Sequence, residues 1–382
     1  MMPISAFGPS QKVLTHEHVY DLTKTVLNEN FNGFEINGYK YTNNEVWDVL
    51  LYASANRLSI KGACESLDEA PSHNWIYTML KDEVFENASV DVLEQQGNGA
   101  LEEGFPKGLT QRRQKLAIDL VLIPYYGDEA TEGIYRSQAK KSTTKFFCYA
   151  SAYLIKKNKR VTLCFTYVRP EDTLLDVLLR LLKRVQTLKI RLKRLYLDRG
   201  FAQVDVIRYL KGRHYVSVVA LPKRGERLKA MQRGKKSMTT TYTMNSPKSG
   251  TVTFALWIAC RYQKGKAKKH GVAYLFFAVL GKCRSPVLQV AEEYRHRFGI
   301  EASYRIMNAA RATTTSTNAS LRLLLVAIAF ILTNMWVWFK WNITLISRRR
   351  GTKTPTFTLN LFALFITEYI KRIYGTLNEL KL

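Results

Sequence analysis

Acidic residues are scarce where this chain is most basic, and its cysteines are few and scattered. From Pro106 to Leu382 there are 52 Lys and Arg against 15 Asp and Glu. The five cysteines, Cys64, Cys148, Cys164, Cys260 and Cys283, form no Cys-x-x-Cys pair and are odd in number. That argues against both a zinc site and a disulfide framework, and it suits a reducing cytosol. His16-Glu17-His18 matches no helical metal spacing and reads as a solvated segment. The opening MMPISAFGPSQK has no basic stretch ahead of an apolar one, so no secretory leader is expected. Long apolar runs are also rare. Leu323 to Phe339 is uncharged for 17 residues with Asn334 inside it, at the short limit for a membrane span. The central buried helix of a large α/β domain reads the same way and is the preferred reading. Phe357 to Ile370 contains Asn360 and Glu368 and is more amphipathic than lipid-facing.

What the chain has is size and positive charge. With 382 residues, 46% of them apolar, it can hold two or three domains with true cores. A formal charge of +27 points to a polyanionic partner bound in a salt-dependent way, or else to a ribosome-like or membrane-surface protein. The charge is uneven, because residues 1–105 hold six Lys and Arg against sixteen Asp and Glu. This N-terminal region reads as an all-α domain. Asn44, Ser59 and Ser72 are candidate caps of three short helices, broken by Asp68-Glu69-Ala70-Pro71. They resemble a helix-turn-helix bundle, although a plain packing or dimerisation module fits as well. Gln95 to Gly108, rich in glycine and closed by Pro106, is the expected linker.

From Lys115 the pattern changes to strands. Leu116–Pro124, Lys145–Ile155 and Val161–Val168 are apolar, aromatic or β-branched runs, the last two joined by a turn at Lys156-Lys157-Asn158-Lys159. An amphipathic helix over 172–188 follows, then a strand over 192–198, a helix over 203–211 and a strand over 215–221. Three strands followed by alternating helix and strand define an α/β sheet with a hairpin edge, spanning 110–221. Residues 222–280 then read as a basic β-rich insertion, with 13 Lys and Arg and one acid, Glu226, between Pro222 and Gly271. Inside it Thr251–Tyr262 alternates strictly, which would expose Trp257 beside Arg261. That pair suits a nucleic-acid base and phosphate, or simply covers a sheet face. Residues 281–382 complete the core and add C-terminal helices.

Three carboxylates need explaining. Asp119 interrupts an apolar strand, where an unpaired charge is costly. Asp198 ends a strand ahead of Arg199-Gly200, at the sheet end where ligands of open α/β folds collect. Glu301 shares a helical stripe with Tyr294, Arg297 and Arg305. That stripe is either a surface ion-pair ladder or a set of phosphate contacts beside a reacting bond. Gly299 weakens the helix by about 1 kcal/mol and invites a kink just before Glu301. Carboxylates brought together repel unless cations neutralise them, so a divalent metal site is the favoured reading. Asp128 and Glu129 are rivals to Asp119 as its first ligand.

The motifs resemble those of prokaryotic insertion-sequence transposases of the DDE type. The branch signature Y-x2-R-x3-E-x6-K is matched by Tyr294, Arg297 and Glu301; YLDRGF resembles the second-aspartate motif, and AIDLVLIPYYG the first. Asn308 stands where the signature has lysine, leaving Arg305 or Arg311 to take over that contact. The resemblance covers roughly residues 110–340 and implies an RNase H-like mixed five-stranded sheet flanked by helices. It further implies two Mg2+ or Mn2+ ions on Asp119, Asp198 and Glu301, and contacts to transposon-end DNA from Tyr294 and Arg297, with Trp257 as a candidate base-stacking residue. The implied activity is cleavage of element ends in double-stranded DNA and strand transfer into a target, by a homodimer that pairs two ends in a prokaryotic cytoplasm, at the nucleoid. A nuclease or resolvase on the same core, a DNA-binding protein with a dead site, and a basic membrane-associated protein are the alternatives.

Overall fold

Side-chain caps set the starts of the first helices. Thr15 caps α1 (His16–Asn30), Ser59 caps α3 (Ile60–Ser66) and Ser72 caps α4 (His73–Met79). Thr42, not Asn44, caps α2 (Asn43–Asn56), and Glu45 closes the capping box by accepting from the Thr42 amide at 2.6 Å. This computed structural model describes residues 13–376 apart from 35, 37, 107, 157–158, 224, 233, 263–270 and 343–356. The expectations for the first dozen residues, the tip of the Lys156–Lys159 turn and the densest part of the basic run lie outside the described residues.

The expected linker is instead helix α5 (Val90–Glu103). Its glycines admit close neighbours rather than flexibility. A Cβ on Gly97 would come within 2.9 Å of the Phe165 ring and 3.0 Å of Ala327, side chains of β4 (Lys159–Val168) and of helix α11 (Ala319–Asn342). Packing against two elements outweighs the helix cost of glycine.

The described residues form a sheet of nine strands. Its middle is the expected five, in order β4, β3 (Thr143–Lys156), β1 (Gln114–Pro124), β5 (Leu192–Leu197) and β6 (Val216–Ala220), with β1, β5 and β6 parallel to one another. Helix α6 (Leu174–Thr187) leads from β4 into β5, and α7 (Val204–Lys211) joins β5 to β6. β2 (Tyr135–Lys140) pairs with the start of β3. The basic insertion begins with a short helix, α8 (Glu226–Ala230), and then widens the same sheet through β7 (Met238–Ser246), β8 (Gly250–Tyr262) and β9 (Val272–Leu280), the last antiparallel to β6. Along β8 the expected alternation holds as far as Ile258, with Val252, Phe254, Leu256 and Ile258 buried, and ends at Ala259 and Cys260, which are both buried. After β9 come α9 (Val287–Arg295), a 3-10 turn (His296–Phe298) and α10 (Gly299–Ala309), then α11 and α12 (Leu359–Tyr374).

Helix α11 carries the long uncharged run and is a core helix, with 94% of its most apolar window buried. Asn334, one of its buried polar residues, has a structural task. Among the described residues strand β4 pairs only with β3, and its other edge is closed by side chains: Asn334 bonds both the amide and the carbonyl of Thr162, at 3.1 and 2.8 Å. Asn98 of α5 does the same for Phe165, both bonds being 2.9 Å, and Glu94 accepts from the Tyr167 amide at 2.7 Å. An otherwise open sheet edge is thereby satisfied without another strand. The N-terminal helices share a core with the C-terminal one. Buried Asp48 of α2 accepts from Tyr20 of α1 at 2.6 Å and from Tyr374 of α12 at 2.8 Å, with Lys24 at 2.9 Å.

Candidate active site

The parallel pairing of β1 with β5 sets Ile118 beside Leu197, so Asp119 and Asp198 follow side by side, Asp198 just past the end of β5 and Asp119 within β1, which runs on to Pro124 paired with β3. Asp198 caps a 3-10 turn over Arg199–Phe201. Gly200 is not demanded by sterics there, since an added Cβ would meet nothing within 4 Å. On the sheet face that Asp119 shares, α9 and α10 pack over a second core containing Ala117, Tyr196, Val290 and Tyr294. The 3-10 turn between the helices is the expected kink, placed just ahead of Gly299, whose Cβ would lie 3.1 Å from the Tyr153 hydroxyl.

All three carboxylates converge on one guanidinium. Arg297 Nη1 donates to Asp119 Oδ2 at 2.8 Å, and Nη2 lies 3.4 Å from Asp198 Oδ1 and 3.3 Å from Glu301 Oε1. The arginine side chain is only 3% exposed, whereas Asp119 is 17%, Asp198 34% and Glu301 53% exposed. Three negative charges thus face solvent from behind a single buried positive one. Burial pushes the Asp119 carboxyl up to about 6; Arg297 pulls it back and Asp198 adds to the push. Burial acts against the Arg297 cation, but its anionic neighbours outweigh that and hold its pKa above the usual value.

Two tyrosines fix the backbone around the carboxylates. The Tyr294 hydroxyl donates to the Leu197 carbonyl at 3.3 Å and lies 3.5 Å from Asp198 Oδ1. The Tyr304 hydroxyl donates to the Asp119 carbonyl at 2.9 Å and shares a 3.0 Å bond with Ser151. Burial raises the pKa of both phenols, keeping them as neutral donors.

The expected DNA-facing stripe divides into a buried part and an exposed part. Tyr294 and Arg297 are buried and turned toward the carboxylates, so in this conformation neither presents its polar group to a phosphate backbone. Beyond Glu301 it is Tyr304, three residues on, that continues the inward stripe, while Arg305 is exposed. Neither Tyr304 nor Ser151 is evident from the motif; the signal for Tyr304 is an aromatic one helical turn after Glu301. Trp257 is half-buried, and Arg261 pairs with Glu292 at 3.0 Å. Asn308 accepts from Arg311 Nε at 3.3 Å. The rivals of Asp119 lie elsewhere: Asp128 accepts from the Ala130 amide at 3.0 Å, and Glu129 pairs with Arg136 at 3.1 Å. His18 closes the capping box of α1, its Nδ1 accepting from the Thr15 amide at 3.3 Å.

For a divalent ion the donor chemistry fits, since the three side chains offer only carboxylate oxygens, the ligands of hard cations. Among the described residues no group of three His, Cys, Asp or Glu stands close enough to share an ion as arranged. The cation that gathers the carboxylates in this conformation is Arg297.

The fold and the site define a class: a mixed α/β sheet with one carboxylate within a strand, a second just past the end of the adjacent parallel strand and a third on a covering helix, in a strongly basic chain. Residues 112–334 match the family described as the transposase DDE domain. This span covers more than half of the chain and includes all three carboxylates, and the protein belongs to that family. Among solved structures it is similar to the piggyBac transposase in a synaptic complex with hairpin DNA, determined by cryo-electron microscopy. The TM-score is 0.55 at 10% identity, over 96% of this chain and 80% of that one. No curated protein matches the sequence.

Proposed function

We propose that this protein is a DNA transposase of the insertion-sequence type that cuts the ends of its element and joins them to target DNA. Asp119, Asp198 and Glu301 hold its divalent ions, magnesium or manganese. The observation that carries this reading is the meeting of three carboxylates, distant in sequence, at one buried guanidinium inside the transposase span. When bound, such ions lower the pKa of a water and neutralise charge on a phosphodiester. The chain's own residues supply the rest. Tyr294 holds the end of β5 ahead of Asp198, Tyr304 holds the β1 backbone at Asp119, and Arg297 balances the carboxylates where no ion is bound.

DNA reaches the site by charge. The insertion's 13 cations against one acid give salt-dependent attraction for a phosphate backbone. Arg305, exposed one turn beyond Glu301, is a phosphate contact on this reading, while Arg261 and Trp257 on β8 form a flanking contact. Two copies pair two element ends as a homodimer in the prokaryotic nucleoid.

The test uses a linear duplex carrying an element end, a target plasmid and Mg2+. The proposal expects cleavage followed by covalent joining to the plasmid. Cleavage without joined product would reassign the protein as a nuclease or resolvase. Binding with neither would mark it as a DNA-binding protein without chemistry.

A further inference from the structure

Four-residue spacing recurs on three elements. Lys115 and Asp119 lie on β1, Arg194 and Asp198 on β5 and its end, and Glu293, Arg297 and Glu301 on the α9–α10 helix pair. In a strand, residues four apart share a face, and in a helix they share a stripe. The β1–β5 register sets Lys115 opposite Arg194, so a pair of cations precedes the pair of aspartates along the same face.

The helix answers each pair with the opposite charge. Glu293 Oε2 accepts from Arg194 Nη1 at 2.6 Å, from the Tyr196 hydroxyl at 2.6 Å, and lies 2.9 Å from Lys115 Nζ. One turn on, Arg297 meets Asp119 and Asp198. The Glu293 centre is the more closed of the two, with Glu293 16% and Lys115 29% exposed against 34% and 53% for Asp198 and Glu301, and Arg194 is also held by Ser285 at 3.0 Å and by Cys283 Sγ at 3.3 Å, at the foot of α9.

The apolar contacts between helix and sheet set small side chains, Ala117 and Ala291, beside large ones, Tyr196, Phe277 and Tyr294, and their packing supplies one part of the resistance to sliding. Charge resists it strongly. A slip of one turn, about 5.4 Å, would set Arg297 against Lys115 and Arg194, or Glu293 against Asp119 and Asp198. Either brings like charges together in a partly buried place.

We infer that Lys115, Arg194 and Glu293 form a register key: positioning residues whose charge pattern, inverted relative to that of the site, fixes α9–α10 along the sheet so that Glu301 meets Asp119 and Asp198. The metal part of this inference rests on the proposed function; the register part does not. A salt-bridge cluster kept only for stability would be replaceable by apolar side chains of similar volume. A register key would not.

The experiment compares the parent with the triple variant Lys115→Met, Arg194→Met, Glu293→Leu, and with Glu293→Gln and Glu293→Asp. Metal-free hydrogen exchange of α9–α10 and Mn2+ affinity by electron paramagnetic resonance are the readouts, with thermal melting as the control for folding. The triple variant is expected to melt within a few degrees of the parent, to exchange at least tenfold faster across α9–α10 and to bind Mn2+ at least tenfold more weakly. Glu293→Gln should shift both readouts the same way, and Glu293→Asp should recover much of each. Parent-like exchange and parent-like Mn2+ affinity in the triple variant would overturn the inference; if that variant does not fold, the same result in Glu293→Gln would do so. Faster exchange in the variants alongside a parent that binds no Mn2+ would uphold the key and sink the metal reading instead.

Discussion

The Glu293 and Arg297 centres are built on the same strands and the same helix pair, one turn apart and with opposite signs, yet their charge balances differ. Around Glu293 two cations and a phenol serve one carboxylate. Around Arg297 one cation serves three carboxylates, leaving two negative charges uncompensated in a chain whose net charge is +27. The first centre is closed by its own residues. The second is left open to solvent and short of positive charge, which is the condition for recruiting a cation. Similar architecture thus gives a structural lock in one place and a receptor in the other, and the sign and exposure of the surplus decide which.

The comparison breaks most sharply at the receptor. Asp198→Asn should lower Mg2+-dependent cleavage of an element-end duplex by roughly a thousandfold or more, as loss of a group acting on the transition state does. DNA affinity should stay unchanged or rise, because a negative charge facing phosphate is lost. Gel assays of cleavage and binding check both, and undiminished cleavage would remove Asp198 from the mechanism.

Next in size is Arg297→Leu. It leaves three carboxylates without their counter-charge, and denaturant unfolding of the metal-free protein should show a loss of about 3 kcal/mol. Added Mn2+ should restore part of that loss through binding to the native state. A variant as stable as the parent without metal would show that the carboxylates do not need the arginine.

The two centres should also answer pH in opposite directions. Asp119, pushed up to about 6 by burial, holds its proton more tightly folded than unfolded, where its pKa is about 3.9. Its contribution is full below the unfolded value and is lost as pH rises through about 6. Between pH 4 and 7 the metal-free parent should therefore lose on the order of 2 kcal/mol relative to Asp119→Asn. For Glu293 burial pushes upward, but bonds from Tyr196 and Lys115 and the charge of Arg194 outweigh it and hold the carboxyl below its usual value. Its contribution is present above the unfolded value and is lost as pH falls through the folded one. Unfolding curves of Glu293→Gln should converge with those of the parent at low pH, and divergence there would contradict the assignment.

The smallest effect lies away from both centres and serves as their control. Asn98→Leu removes both side-chain bonds to Phe165 at the β4 edge, and the orphaned backbone groups should cost about 2 kcal/mol in unfolding experiments. Mn2+ affinity should not move.

Much of this arrangement was legible in the sequence because local patterns decide it. The five central strands announce themselves as apolar or β-branched runs, and Asp119, Asp198 and Glu301 stand out as acids in a basic context. Tertiary contact decides what was not legible. Gly97 reads as linker until Phe165 and Ala327 are seen to need its missing side chain. Helical periodicity put Arg297 and Glu301 on one stripe but could not say that the stripe faces the sheet, nor that Tyr304 rather than Arg305 continues it. The Glu293 centre escaped notice because its partners are 99 and 178 residues away along the chain, and only the β1–β5 register brings Lys115 and Arg194 together.

The central claim is tested most directly by locating the ion itself. Crystals grown with Mn2+ and measured at a wavelength where manganese scatters anomalously should show a peak bonded by Asp119, Asp198 and Glu301, with the Arg297 guanidinium withdrawn from at least one of them. A peak elsewhere, or none with the three carboxylates still gathered on Arg297 at saturating Mn2+, would contradict the account.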